Sequence, residues 1–99
     1  MRNDLNKEKL DRYKDIIVND LIDDTQIVDD GYSVKFPFME GNTKYTIAVL
    51  DLTIPVIESS TNYRLYSKFF AYVSDRYNFD LNHMDELWKR YVDKLTSIL

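Results

Sequence analysis

Two runs rich in β-branched and aromatic residues face each other across a short link in the first half of the chain. In the first, Tyr32, Val34, Phe36 and Phe38 alternate with Ser33, Lys35 and Pro37, which predicts a strand with one buried face and one wet face. Met39-Glu40-Gly41-Asn42-Thr43 then predicts the turn of a β-hairpin. The return run, Lys44 to Ile54, behaves differently. Tyr45, Ile47 and Val49 point one way while Ala48, Leu50, Leu52 and Ile54 point the other, so this strand is expected to be apolar on both faces. Such a strand is either central, with a bulge or a misplaced neighbour behind the pattern, or an edge that needs a cover. As an edge it would offer Thr46, Ala48, Leu50 and Leu52 to a second copy or to a strand from a partner.

Upstream, Asn3 or Asp4 can cap a helix reaching about Ile22, with Leu10, Tyr13, Ile17 and Leu21 on one stripe and Leu5, Ile16, Val18 and Ile22 widening it. Thr25 to Val28 reads as a short strand and Asp29-Asp30-Gly31 as a tight turn into Tyr32. Downstream, Pro55 blunts the last strand, and Ser59, Ser60 or Thr61 caps a second helix over about 61–77. Its inner side is expected at Tyr63, Tyr66, Phe69, Phe70, Val73 and Tyr77, with Leu65 and Tyr72 beside them and Asn78 as a left-handed stop. Asp80 or Asn82 caps a third helix whose stripe is Met84, Leu87, Trp88, Tyr91, Leu95 and Ile98. The pattern predicts an α+β fold in the order α-β-β-β-α-α, a small antiparallel three-stranded meander with the helices packed on one face. Residues 1–99 are expected to form a single domain.

Charge changes the picture of the first helix. Residues 1–30 hold nine acids and five bases, which accounts for the whole net charge of −4. Arg2, Lys7, Lys9, Arg12 and Lys14 come first, and Asp15, Asp20, Asp23, Asp24, Asp29 and Asp30 follow with no base among them. This order opposes the helix dipole, at a cost of about 0.3–1 kcal/mol for each charge near the end. The third helix obeys the dipole, with Asp85 and Glu86 early and Lys89, Arg90 and Lys94 later. The absence of cysteine removes disulfides and thiolate chemistry and fits a reducing cytoplasm. No apolar run approaches the roughly 20 residues of a membrane span, so no membrane partner is expected.

Catalytic motifs are not in view. The one histidine, His83, stands near a helix start without a nucleophile motif and reads as a surface or capping residue. No H-E-x-x-H, Cys/His ligand spacing or phosphate-binding glycine loop occurs. Aligning Gly31 with the calcium-loop glycine puts Gln26, Val28 and Pro37 at ligand positions, so that motif fails too. Asp51 lacks the acidic-x-Lys partner of a nuclease strand and reads as a strand-end residue. No cofactor, no metal and no enzymatic activity are therefore expected.

Direct nucleic-acid binding through Arg64, Lys68, Lys89, Arg90 and Lys94 is disfavoured, because acids such as Asp75, Glu86 and Asp93 lie among them. Helical placement scatters Asp15, Asp20 and Asp24 around the axis, so they make no continuous phosphate-like row. Asp20, Asp23, Asp24, Asp29 and Asp30 still form a patch that can meet a basic protein surface. The leading expectation is a small non-enzymatic interaction or inhibitor protein of the phage or mobile-element, anti-CRISPR-like kind. It would block a nucleic-acid-handling host protein through that patch. The alternative is a homodimeric accessory or chaperone-like module that pairs through the apolar edge strand.

Overall fold

Residues 2–40 and 43–99 are described by the structure, a computed structural model, with side chains over 7–38 and 45–99. The elements are α1 (Arg2–Asp24), β1 (Gln26–Val28), β2 (Ser33–Glu40), β3 (Thr43–Ala48), α2 (Ser60–Tyr77) and α3 (Met84–Ile98). The strands form one antiparallel sheet in the order β1-β2-β3, so the predicted α+β meander is the observed fold. Of the predicted Met39–Thr43 turn, Met39 and Glu40 belong to β2 and Thr43 to β3, and Gly41 and Asn42 lie outside the described residues. The α1 backbone is already helical at Asn3 and Asp4, the expected caps, and their side chains also lie outside the described residues.

β2 is the central strand. Gln26, Ile27 and Val28 pair with Lys35, Val34 and Ser33, and on the other side Ser33, Val34 and Lys35 pair with Ala48, Ile47 and Thr46. Between Lys35 and Met39 the register with β3 shifts, which marks a bulge on β2. Pro37 sits in that bulge, beyond the end of β1, where its missing N–H breaks no ladder bond. The alternation is lost there: Phe36, Pro37 and Phe38 are all buried, a correction to the wet position expected for Pro37. Tyr32 is also corrected. It precedes the strand and is 78% exposed.

The largest correction concerns the return strand, which stops at Ala48 rather than Ile54. Val49–Thr53 turns into a 3₁₀ helix, closed by the Ile54 N–H donating to the Asp51 carbonyl at 3.3 Å. Asn62 of α2 holds this segment, its side-chain amide donating to the carbonyls of Asp51 at 2.7 Å and Ile54 at 2.6 Å. Leu50 and Leu52 are therefore not strand residues. Leu52 turns into the core, and Leu50 turns out, 81% exposed. The apparent two-faced strand was a strand followed by a helical turn.

α3 buries the stripe its periodicity predicts, except that Ile98 is half-exposed. α2 is capped by Ser59, which accepts from the Asn62 N–H at 3.1 Å, and it ends at Asn78 in the left-handed region, φ 51°. Asp80 caps the 3₁₀ turn before α3, accepting from the Asn82 N–H at 3.0 Å. The inner face of α2 is rotated from expectation: Asn62, Leu65, Phe69 and Val73 are buried while Tyr63 faces solvent. In α1 the buried stripe is Lys14, Ile17, Val18 and Leu21, and Tyr13 and Ile16 are exposed. Phe36, Phe38, Phe69, Trp88 and Tyr91 form an aromatic centre with ring centroids 5.0–6.2 Å apart. Such pairs add roughly 0.5–1.5 kcal/mol each beyond burial. One face of the sheet receives the helices, and Ser33, Lys35, Thr46 and Ala48 line the other.

Several α1 charges that oppose its dipole have partners on α2 and α3. Buried Lys14 donates to Glu86, and Arg90 bridges Asp11 at 2.8 Å, Asp15 at 3.1 Å and Glu86 at 3.0 Å. At the other end Arg76 reaches Asp20 at 3.5 Å and Asp24 at 3.4 Å. These interhelix pairs offset part of the cost of opposing the dipole.

Candidate functional site

β3 is an edge strand, which decides the question left open by the sequence. The Val49 N–H donates to the Tyr32 carbonyl at 2.9 Å, and by the period of the ladder Ile47 also bonds toward β2. Thr46 and Ala48 consequently direct their N–H and C=O away from the sheet, along the free edge. Among the described residues no backbone or side-chain hydrogen bond satisfies these groups. The side chains of Thr46 and Ala48 are exposed, those of Tyr45 and Ile47 turn toward the helices, and no charged side chain occurs from Tyr45 to Ala48.

A cleft of about 310 Å³ follows this edge, with Tyr45, Thr46 and Ile47 on the strand side and Ser60, Arg64 and Leu65 of α2 on the other. Strand residues of both parities line it, so it runs along the edge rather than under one face. The Arg64 guanidinium lies 5.9 Å from the Tyr45 ring centroid. Exposed apolar side chains continue beyond the strand at Leu50, Ile57 (93% exposed) and Tyr63 (64% exposed). Of the four nominated edge residues, Thr46 and Ala48 are on the edge, Leu50 stands beside it and Leu52 is in the core.

The acidic patch is split by its surroundings. Asp20 and Asp24 are engaged by Arg76, and Asp20 also accepts from the Tyr77 hydroxyl. Burial and then this bond push the Tyr77 phenol up. Asp23, Asp29 and Asp30 are exposed and make no ion pair among the described residues. Asp29 and Asp30 adopt left-handed backbone, φ 53° and 57°, followed by Gly31 at φ 93°. Aspartate tolerates that region better than most residues, and glycine best. The turn thus accounts for these residues by backbone need as well as by charge. Arg76, the counterion that divides the patch, was invisible in the sequence because it lies 52 residues from Asp24.

Elsewhere the chemistry is sparse. His83 lies 3.8 Å from Asp80, and Asp51 contributes its backbone carbonyl rather than its carboxylate to the Asn62 contact. Among the described residues no group of three or more His, Cys, Asp or Glu side chains could hold a metal ion, and no helix is long and apolar enough to cross a membrane. Tyr66 is pushed up to about 12 by burial and then by its hydrogen bond to Asp85, which links α2 to α3. Compared with family models, curated proteins and solved structures, the chain matches none.

Proposed function

We propose that the protein is a non-enzymatic binding module that acts in the cytoplasm by pairing through the free edge of β3. One observation carries this reading: among the described residues Thr46 and Ala48 hold unpaired backbone donors and acceptors beside an open cleft, on a stretch from Tyr45 to Ala48 that carries no charge. Strand addition satisfies such groups, and pockets beside the strand take alternate side chains of the occupant. Hydrogen exchange of the Thr46 and Ala48 amides tests the reading. In the bound state both should gain protection while Ile27, on the far edge of the sheet, does not. Unchanged exchange at Thr46 and Ala48 in a complex would reject it.

A second reading is favoured by Asp23, Asp29 and Asp30, whose charges stay outward. Here the acidic corner meets a basic surface, as in a phage-type counter-defence protein that blocks a nucleic-acid-handling host factor. Its mark is an association rate that falls steeply with added salt. A salt-independent rate would discard it.

A further inference from the structure

We propose that the strand received by β3 is β3 of a second copy, giving an antiparallel homodimer with one continuous six-stranded sheet. This rests on β3 being a pairing edge, as read above, and names its occupant. A two-fold interface must be self-complementary, each residue meeting its counterpart across the axis. The outward residues of β3 permit this with Thr46 at the centre. Thr46 then faces Thr46 of the second copy, and Ala48 faces Lys44. On the helix side, Tyr45 of each copy meets Ile47 of the other. Thr–Thr and aromatic–β-branched pairs are among the favourable cross-strand combinations. The helix-side Tyr45 or Ile47 of the incoming copy enters the cleft of about 310 Å³ between β3 and α2.

Charge favours this occupant over a strongly acidic or basic one. Residues 43–65 contain Lys44, Asp51, Glu58 and Arg64, which sum to zero, although the chain carries −4. Two like-charged copies can meet here without local repulsion, and a charged partner finds no net charge to complement. The assembly also closes. The opposite edge, β1, has only three residues and is flanked by Asp23, Asp24, Asp29 and Asp30, so it discourages further addition. The dimer would carry these two acidic corners at opposite ends of its sheet, roughly 24 Å apart across five strand spacings.

Sedimentation and cysteine cross-linking of the full chain test the proposal. The wild-type protein should be a concentration-dependent dimer. Ala48→Pro removes an outward N–H at a residue whose φ of −67° already suits proline, so it should keep the fold by circular dichroism. It should raise the dimer dissociation constant roughly a hundredfold. The chain has no cysteine, so a single Thr46→Cys can bridge only to another copy. The facing Cα atoms would be about 5.5 Å apart, within disulfide reach. Ala48→Cys should not cross-link, because those positions would lie roughly 13 Å apart.

A dimer lost in Ala48→Pro, with cross-linking at Thr46→Cys alone, supports the proposal. Equal cross-linking at both positions overturns it. A monomer at every concentration, whose Thr46 and Ala48 amides are protected by another polypeptide, overturns the second copy but leaves the pairing edge intact. An Ala48→Pro dimer as stable as wild type overturns both.

Discussion

β1 offers three residues at one edge of the sheet and is bracketed by Asp23, Asp24, Asp29 and Asp30, whereas β3 offers six and carries no charge from Tyr45 to Ala48. Among the described residues both strands present unpaired backbone groups, the usual template for unwanted pairing. Brevity and acids blunt the first edge. The second edge is twice as long, and its one charged residue, Lys44, stands next to the strand's start. The difference teaches that acid-rich sequence need not announce a ligand. Around β1 some of the carboxylates have work within the fold, Asp20 and Asp24 as counterions to Arg76, and Asp29 and Asp30 as turn residues. The longer edge, uncharged from Tyr45 to Ala48, is the one left available.

The sharpest way to break the contrast is to untie the segment that ends β3. Asn62 is buried, and it alone among the described side chains donates to the Asp51 and Ile54 carbonyls. Asn62→Ala should cost about 2–3 kcal/mol in urea denaturation, because two acceptors lose a donor, offset slightly by removing an unpaired Oδ1. Asn62→Asp, though nearly isosteric, should cost more, since it sets a carboxylate against two carbonyl oxygens. If both variants are as stable as wild type, another contact terminates the strand.

The charged end has its own test in the ion pairs between α1 and α3. Lys14 is 2% exposed and bonds to Glu86, whose carboxyl is held down at about 2, first by Lys14 and then by Arg90. Glu86→Gln should cost about 1–2 kcal/mol, discounted because Glu86 is half-exposed and Asp11 remains 4.0 Å from the ammonium. Lys14→Met should cost less, under about 1 kcal/mol, because it leaves no buried charge and the half-exposed Glu86 keeps Arg90 at 3.0 Å. The pH dependence has a fixed sign. A carboxyl lowered in the folded state stabilises above its ordinary value near 4.5, and the benefit is lost as pH falls toward about 2. Wild type should therefore lose more stability than Glu86→Gln across that window; parallel curves would mean that the pair is idle.

What could be read in advance was what local chemistry decides. The Asp29-Asp30-Gly31 turn, the Ser59 cap, the Asn78 stop and most of the α3 stripe each depend on neighbours within a turn or two. The end of β3 was not legible, because Val49-Leu50-Asp51-Leu52 continues the alternation and the deciding contact comes from Asn62 on the next helix. The faces of α1 and α2 were misjudged for a related reason. Lys14 and Asn62 occupy buried positions that a hydrophobic pattern skips, and distant partners make their burial tolerable. At the candidate site, Thr46 and Ala48 were legible from strand parity, but Leu52 was lost with the strand that was meant to carry it.

The smallest effect on stability, and the finest discrimination between the two edges, should come from replacing Asp23, Asp24, Asp29 and Asp30 together by Asn. Asparagine also tolerates the left-handed backbone of Asp29 and Asp30, so the fold should change by no more than about 0.5 kcal/mol. What should change is the behaviour of β1. Without acids on either side, Gln26–Val28 becomes a second neutral edge, and pairing at β1 as well as β3 allows species larger than a dimer. Light scattering that shows higher oligomers would identify these carboxylates as guards. If size is unchanged and association with a basic partner slows instead, their principal role is recognition, and the two edges differ only in length.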